Sequence, residues 1–148
     1  LTYILHIIIR YEIEKLIFNE ELSVKDLPKV WNAKYQEYLG ITPPTDSLGV
    51  LQDVHWSGGD FGYFASYSLG NMYAAQILNT LRKELPEIDE LIAAGNLLPI
   101  KEWLTAKIYQ YGKSLTPSEI IEQVTGEPLN PDYLADYLEK KYTELYNL

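Results

Sequence analysis

The sequence predicts an all-α fold, and three observations support this prediction. Apolar residues recur at the spacing of an amphipathic helix through most of the 148-residue chain. Signals that start and stop helices divide the chain into segments joined by short connections. No stretch of alternating apolar and polar residues is long enough to indicate a strand. We therefore expect a single multi-helix domain or lobe over residues 1–148.

The first predicted helix covers residues 1–22 and is largely buried. Its apolar side follows helical spacing through Leu5, Ile8, Ile9, Ile13, Leu16 and Ile17. The same helix carries a polar stripe with one member on each successive turn: Thr2, His6, Arg10 and Glu14. This polar stripe has two interpretations. It could line a cleft, or it could be an ion-paired face, since Arg10 and Glu14 are one turn apart.

The second and third helices are predicted from their boundaries. Ser23 is suited to cap the second helix, and Gly40 is well placed to end it. Residues 41–59 are expected to be irregular. Asp60 could cap a third helix over residues 61–85, which would stop before a proline.

The C-terminal half contains the same kinds of helix start and stop signals. Short helices are expected at about residues 87–94 and 99–112. The run from Thr116 to Glu119 has the pattern of a capping box, with proline at the first helical position, and Gly126 and Pro128 are expected to end this helix. Asn130 and Pro131 begin the last predicted helix, which carries leucines along its apolar face.

Composition limits the possible partners. Acidic residues outnumber basic ones by 21 to 12, which gives a formal net charge of −9 and argues against nucleic acid and anionic membranes. There is no cysteine, so disulfides, thiolate nucleophiles and cysteine-bound zinc are excluded. The longest apolar run, around Ile8, is too short to span a bilayer. We expect a cytoplasmic protein with neither a nucleic-acid nor a membrane partner.

The segment from Gly49 to Phe64 is the most informative one, because it concentrates chemically active side chains among glycines. If residues 53–55 are locally extended, Asp53 and His55 point to the same side, and the carboxylate could orient the imidazole or raise its basicity. The alternative is a turn-rich connection in which Asp53 caps a backbone group and His55 is simply buried.

The third predicted helix places Tyr63, Tyr67, Gly70 and Ala74 on one stripe. The two phenol hydroxyls could face a cleft above a strip of small residues. They could equally be amphipathic core tyrosines whose hydroxyls reach the surface.

Several familiar chemistries are excluded. Neither histidine begins a His-Glu-x-x-His motif, and the glycines after His55 lack the lysine of a phosphate-binding loop. A closed zinc site built from two distant histidines and carboxylates is improbable. We therefore predict no metal ligand in this chain.

Four stretches of the sequence resemble the carboxypeptidase Taq family. They are residues 1–15, the Gly49–Trp56 stretch that matches Gly-x-x-Gln-Asp-x-His-Trp, residues 62–76, and the tail from Leu115 to Tyr142. The likeness covers nearly the whole chain, and its two central motifs are specific. Ile4 and Ala65 depart from the pattern, since the family usually has proline at both positions.

The resemblance implies a mostly helical, metal-dependent enzyme that removes C-terminal residues from peptides. Zinc or cobalt would be held by a motif upstream of Leu1, so we expect this chain to be a C-terminal segment, inactive alone. In such enzymes the metal polarises the carbonyl and activates water. The resemblance makes His55 and Tyr67 the candidate catalytic residues. The candidates for binding or orienting the substrate are Asp53, Gln52, Trp56, Tyr63 and Arg10.

Other functions remain as alternatives. The chain could be a non-catalytic helical module that binds peptides or proteins, or a structural or dimerisation domain. Its expected partners are a peptide C-terminus in the intact enzyme and a second copy in a homodimer. A coding sequence that continues upstream into a His-Glu-x-x-His motif would favour the enzyme.

Overall fold

The computed structural model describes residues 2–19 and 21–147. Within these ranges it contains α-helices and 3₁₀ turns but no β-strand, which confirms the all-α prediction. The α-helices are α1 (Tyr3–Phe18), α2 (Leu27–Leu39), α3 (Val54–Gly58), α4 (Ser66–Glu84), α5 (Ile88–Ala93), α6 (Leu98–Lys107), α7 (Pro117–Thr125) and α8 (Asp132–Tyr146). The chain divides into two compact units, Leu1–Leu69 and Gly70–Leu148.

Several predicted helix boundaries are confirmed. Gly40 ends α2 with a φ of +70°, and Gly126 ends α7 with a φ of +83°, a left-handed conformation that glycine adopts without steric cost. Thr116 and Glu119 form the capping box at the start of α7. The threonine hydroxyl accepts from the Glu119 amide at 3.3 Å, and the glutamate accepts from the Thr116 amide at 2.7 Å.

Asp60 does not start the third predicted helix. A separate short helix, α3, lies inside the segment predicted to be irregular, and α4 begins only at Ser66. Gly59 and Gly62 have φ values of +83° and +75°, which interrupt a right-handed helix. Helix α4 therefore begins after these two glycines, and Tyr63 lies in the turn that precedes α4.

The first unit is built around a core between α1 and α2. The buried core residues are Ile9, Ile13, Trp31, Tyr35 and Val50. Trp31 stacks on Tyr35 at a centroid distance of 4.7 Å. Aromatic pairs of this kind add to the stability that apolar burial provides. The core therefore fixes α1 against α2 and places the polar stripe of α1 against the rest of the unit.

His6 is the first member of the polar stripe to make a tertiary contact. Its Nδ1 lies 3.1 Å from the Tyr35 hydroxyl on α2, and Arg10 follows one turn later on α1. Burial, followed by the positive charge of Arg10, lowers the pKa of His6 below its usual 6.5. The folded unit therefore favours neutral His6.

A buried side-chain amide connects α4 to the loop between α7 and α8 in the second unit. The Gln76 side chain on α4 is fully buried. Its Nε2 donates to the Thr125 hydroxyl at 2.9 Å and to the Pro128 carbonyl at 3.1 Å, and its Oε1 accepts from the Asn130 amide at 2.9 Å. One side chain thus satisfies the backbone of the connection between α7 and α8.

Replacing His6 with glutamine should flatten the dependence of stability on pH. Because the pKa of His6 is lowered in the folded state, the unfolded chain takes up this proton at a higher pH, and acid favours unfolding. Wild type should therefore lose stability as pH falls from about 7.5 through the unfolded pKa of about 6.5, whereas the variant should lose less. Urea unfolding at a series of pH values measures this; equal slopes would contradict it.

Replacing Gln76 with leucine should lower the free energy of unfolding by about 3 kcal/mol, because each buried polar group left unpaired costs about 1–3 kcal/mol. Gln123 is exposed on α7, where its amide donates to the Tyr111 hydroxyl, and its replacement by leucine is the matched control, expected within about 1 kcal/mol of wild type because this hydrogen bond is open to water. Urea unfolding provides both values. A Gln76→Leu variant as stable as the control would refute the role of this amide.

Candidate active site

Asp53 sets the geometry of the glycine-rich segment by capping α3. Its Oδ1 accepts a hydrogen bond from the Trp56 amide at 2.8 Å, and Gly59 ends the helix in a left-handed conformation. His55 therefore lies in the first turn of a short helix. The extended arrangement considered for residues 53–55 does not occur.

The other oxygen of Asp53 binds Arg10. Asp53 Oδ2 lies 2.5 Å from Arg10 Nε, and the aspartate side chain is 1% exposed. The guanidinium carbon is 4.8 Å from the centroid of the Trp31 ring and 4.7 Å from that of Phe64. A cation between two aromatic faces is stabilised by their quadrupoles, which compensates in part for its loss of water. Arg10 is thus held on three sides.

The ion pair changes two interpretations of the sequence. Arg10 pairs with Asp53 and not with Glu14, its neighbour one turn along α1. The Asp53 carboxylate accepts from Arg10 and from the Trp56 amide, and these two bonds replace the Asp53–His55 contact considered from the sequence. From His6 to Glu14 the polar stripe therefore faces the interior of the first unit, whereas Thr2 is exposed.

Glu14 continues the polar stripe and contacts the same segment. It is 5% exposed. Its Oε1 accepts from the Trp56 indole at 2.7 Å, and its Oε2 accepts from the Gly62 amide at 3.0 Å. Arg10 and Glu14 together hold residues 53–62 against α1.

An aromatic cluster surrounds the half-buried His55. Its ring stacks on Tyr63 at a centroid distance of 5.7 Å, meets Phe64 edge to face at 4.8 Å, and meets Tyr67 at 6.1 Å. Contacts between rings restrain the imidazole and leave it the capacity to donate or accept hydrogen bonds. The cluster is a place where a substrate oxygen could meet a fixed donor.

Tyr63 and Tyr67 add hydroxyl groups to this cluster. Their rings are 5.5 Å apart and nearly perpendicular, and Tyr63 is 55% exposed. A hydrogen bond with the Tyr63 hydroxyl, and then partial desolvation, raises the pKa of Tyr67. Tyr67 is a neutral hydroxyl at ordinary pH, as tyrosines generally are, and can donate as well as accept.

The structure brings together three of the seven predicted site residues. His55, Tyr63 and Tyr67 share the cluster. Arg10, Asp53 and Trp56 form the buried network beside it, with the Trp56 ring edge-on to Trp31 at 5.7 Å. Gln52 lies apart in an exposed turn, where its amide donates to the Ser47 carbonyl.

Sequence reasoning missed two residues at this site. Phe64 lies between the ion pair and the imidazole, since its ring contacts both Arg10 and His55. Its place inside the glycine-rich motif was the available signal. Glu14 was predicted only as part of the polar stripe that lines a cleft or forms an ion-paired face, although a carboxylate on a buried stripe requires donors from another element.

The described parts of the chain contain neither a metal-binding cluster nor a membrane-spanning helix. Within residues 2–19 and 21–147, no group of three or more histidine, cysteine, aspartate or glutamate side chains could hold a metal ion. No helix formed by these residues is both long and apolar enough to cross a membrane.

Comparison with known proteins identifies relatives that are carboxypeptidases. The chain is 62% identical over 148 residues to carboxypeptidase 1 of Bacillus subtilis, covering all of this chain and 30% of that protein. It is 45% identical to thermostable carboxypeptidase 1 of Thermus thermophilus, over 98% of this chain and 28% of the relative.

The structural comparison agrees with the sequence comparison. An M32 carboxypeptidase from Deinococcus radiodurans matches with a TM-score of 0.95 at 38% identity, over 100% of this chain and 30% of that one. The chain thus spans about 30% of the length of these relatives. The family model for carboxypeptidase Taq (M32) metallopeptidases matches residues 1–142. The chain therefore belongs to the carboxypeptidase Taq (M32) metallopeptidase family.

Proposed function

We propose that this chain is part of a metal-dependent carboxypeptidase and supplies hydrogen-bond donors to the wall of its substrate cleft. Family membership supports the reaction class. The observation that supports the role in the cleft is the cluster of His55 with two tyrosines at the surface of the first unit. Because the chain spans about 30% of its relatives, the activity is proposed for a longer protein and not for this chain alone.

The proposed metal, zinc or cobalt, binds outside this chain. The side chains described in residues 2–19 and 21–147 do not fit a metal centre. The proposed roles of this chain's residues therefore concern hydrogen bonding to the peptide.

His55 is the proposed donor to the substrate carbonyl. Hydrolysis of a peptide bond places negative charge on the carbonyl oxygen in the transition state, and a fixed donor about 2.7–3.1 Å from that position lowers the barrier. The imidazole of His55 is half-buried and restrained by three rings. Little reorganisation would be needed when the charge develops.

Tyr67, with Tyr63 as the second candidate, is proposed to donate to the same oxygen or to the terminal carboxylate of the peptide. A tyrosine hydroxyl is protonated at neutral pH, and the surroundings of Tyr67 raise its pKa further above that range. Gln52 is a proposed contact to the substrate from the neighbouring exposed turn. Asp53, Trp56 and Arg10 are proposed to orient this surface, in keeping with their burial beside it.

The proposed partner is the C-terminal end of a peptide, and the proposed assembly is a cytoplasmic homodimer. Exposed aromatic side chains on α1, Tyr11 at 49% and Phe18 at 63%, support a further contact surface on the first unit.

In the metal-loaded full-length protein, replacing His55 with alanine should lower kcat by about 10²–10³, the loss measured when one oxyanion donor is removed. Tyr67→Phe should also lower kcat, whereas Tyr142→Phe on α8 is a control that should leave it unchanged. Hydrolysis of a blocked dipeptide at matched metal content measures all three. A His55→Ala enzyme with wild-type kcat would refute the proposed function.

A further inference from the structure

Glu14 is a buried carboxylate whose two bonds are both made to neutral donors. Its side chain joins the Trp56 indole and the Gly62 amide, which are 42 and 48 positions away in the sequence. Burying a charged group is costly unless it is well hydrogen-bonded. If filling space were the only requirement, an apolar residue would serve at least as well. The carboxylate therefore has a role that needs two acceptors at once.

The two donors lie immediately next to residues of the proposed site. Trp56 follows His55, and Gly62 precedes Tyr63. The bond to the Gly62 amide fixes the orientation of a peptide unit at a residue with a left-handed φ of +75°. The direction in which Tyr63 leaves the turn depends on this peptide. Glu14 thus restrains the backbone just before Tyr63 directly, and the residue that follows His55 through its indole ring.

Packing alone does not hold this turn. An open cavity of about 370 Å³ borders Glu14, Phe61, Gly62 and Ala65. Phe61 is 44% exposed, and its ring contacts are limited to Phe18, edge to face at 5.3 Å, and Trp56, stacked at 6.4 Å, among the described residues. With free space on this side, the peptide at Gly62 could rotate if its hydrogen bond were lost. The hydrogen bond from the Gly62 amide to the Glu14 carboxylate opposes this rotation.

We propose that Glu14 is a positioning residue, which sets the relative placement of His55 and Tyr63 by binding the Trp56 indole and the Gly62 amide together. It makes no contact with substrate in this proposal, which rests on the proposed function of His55. Arg10 and Asp53 fix the start of the same segment, and Glu14 fixes its end.

The test is Glu14→Gln in the metal-loaded full-length protein. Glutamine keeps the shape of the side chain but offers one acceptor oxygen, so one of the two donors faces an NH₂ group and is lost. We expect kcat to fall by about 10-fold to 100-fold with KM changed by less than about 3-fold, since a displacement near 1 Å can cost about 10² in rate.

Glu12→Gln is the matched control on the same helix. Glu12 also uses its carboxylate in tertiary bonds, to the Tyr38 hydroxyl at 2.7 Å and to Lys34 at 2.8 Å, but both partners are on α2. This variant should leave kcat unchanged even where it lowers stability. An equal loss of kcat in both variants would show that the effect of Glu14 is general destabilisation, and would overturn the proposal.

A spectroscopic readout separates this proposal from the proposed function. In Glu14→Gln, the NMR signals of the Trp56 indole N–H and the His55 ring should both shift, because the indole loses or changes its acceptor and the ring moves relative to Tyr63. Unchanged His55 signals would overturn the positioning role, whatever the kinetics. Shifted signals with unchanged kcat would also overturn it if His55→Ala still lowers kcat. If His55→Ala has no effect, the proposed function fails, and the His55 signals alone decide the positioning role.

Discussion

The ion pair between Arg10 and Asp53 is the interaction on which the first unit depends. It joins residues 43 positions apart and lies almost entirely out of water, with Asp53 1% exposed. Removing one partner of such a pair leaves a buried charge uncompensated, at a cost of about 3–5 kcal/mol. The helix α1 and the cap of α3 are therefore fixed relative to each other by electrostatics as well as by apolar packing.

The same pair connects the core to the proposed site. Arg10 lies between the rings of Trp31, which belongs to the core, and Phe64, which contacts His55. Trp56 makes a similar connection between the core and the site. Its indole ring lies edge-on to Trp31, and the indole N–H donates to Glu14. Core residues and site residues thus share neighbours. A change that disturbs the core at Trp31 will therefore also disturb the aromatic cluster around His55.

Local signals in the sequence predicted those features that depend on local backbone chemistry. The capping box at Thr116 and the glycine stops at Gly40 and Gly126 were identifiable because each needs only a few adjacent residues. The Gly49–Phe64 segment contains three members of the aromatic cluster, His55, Tyr63 and Phe64, but their contact with one another was not predicted. The partners of the polar stripe could not be predicted, because Asp53, Trp56 and Gly62 reach it only through the tertiary fold. The start of α4 was missed, since Asp60 has the chemistry of a cap while Gly62 after it has the wrong backbone.

A double-mutant cycle on the ion pair tests this account most directly. Arg10→Leu, Asp53→Asn and the double variant would be compared with wild type by urea unfolding, followed through tryptophan fluorescence; asparagine keeps the oxygen that caps α3. If the pair is the central restraint, the effects of the single changes will be coupled by about 2 kcal/mol or more. Effects that add to within about 0.5 kcal/mol would mean that the two charges act independently, and would contradict the account.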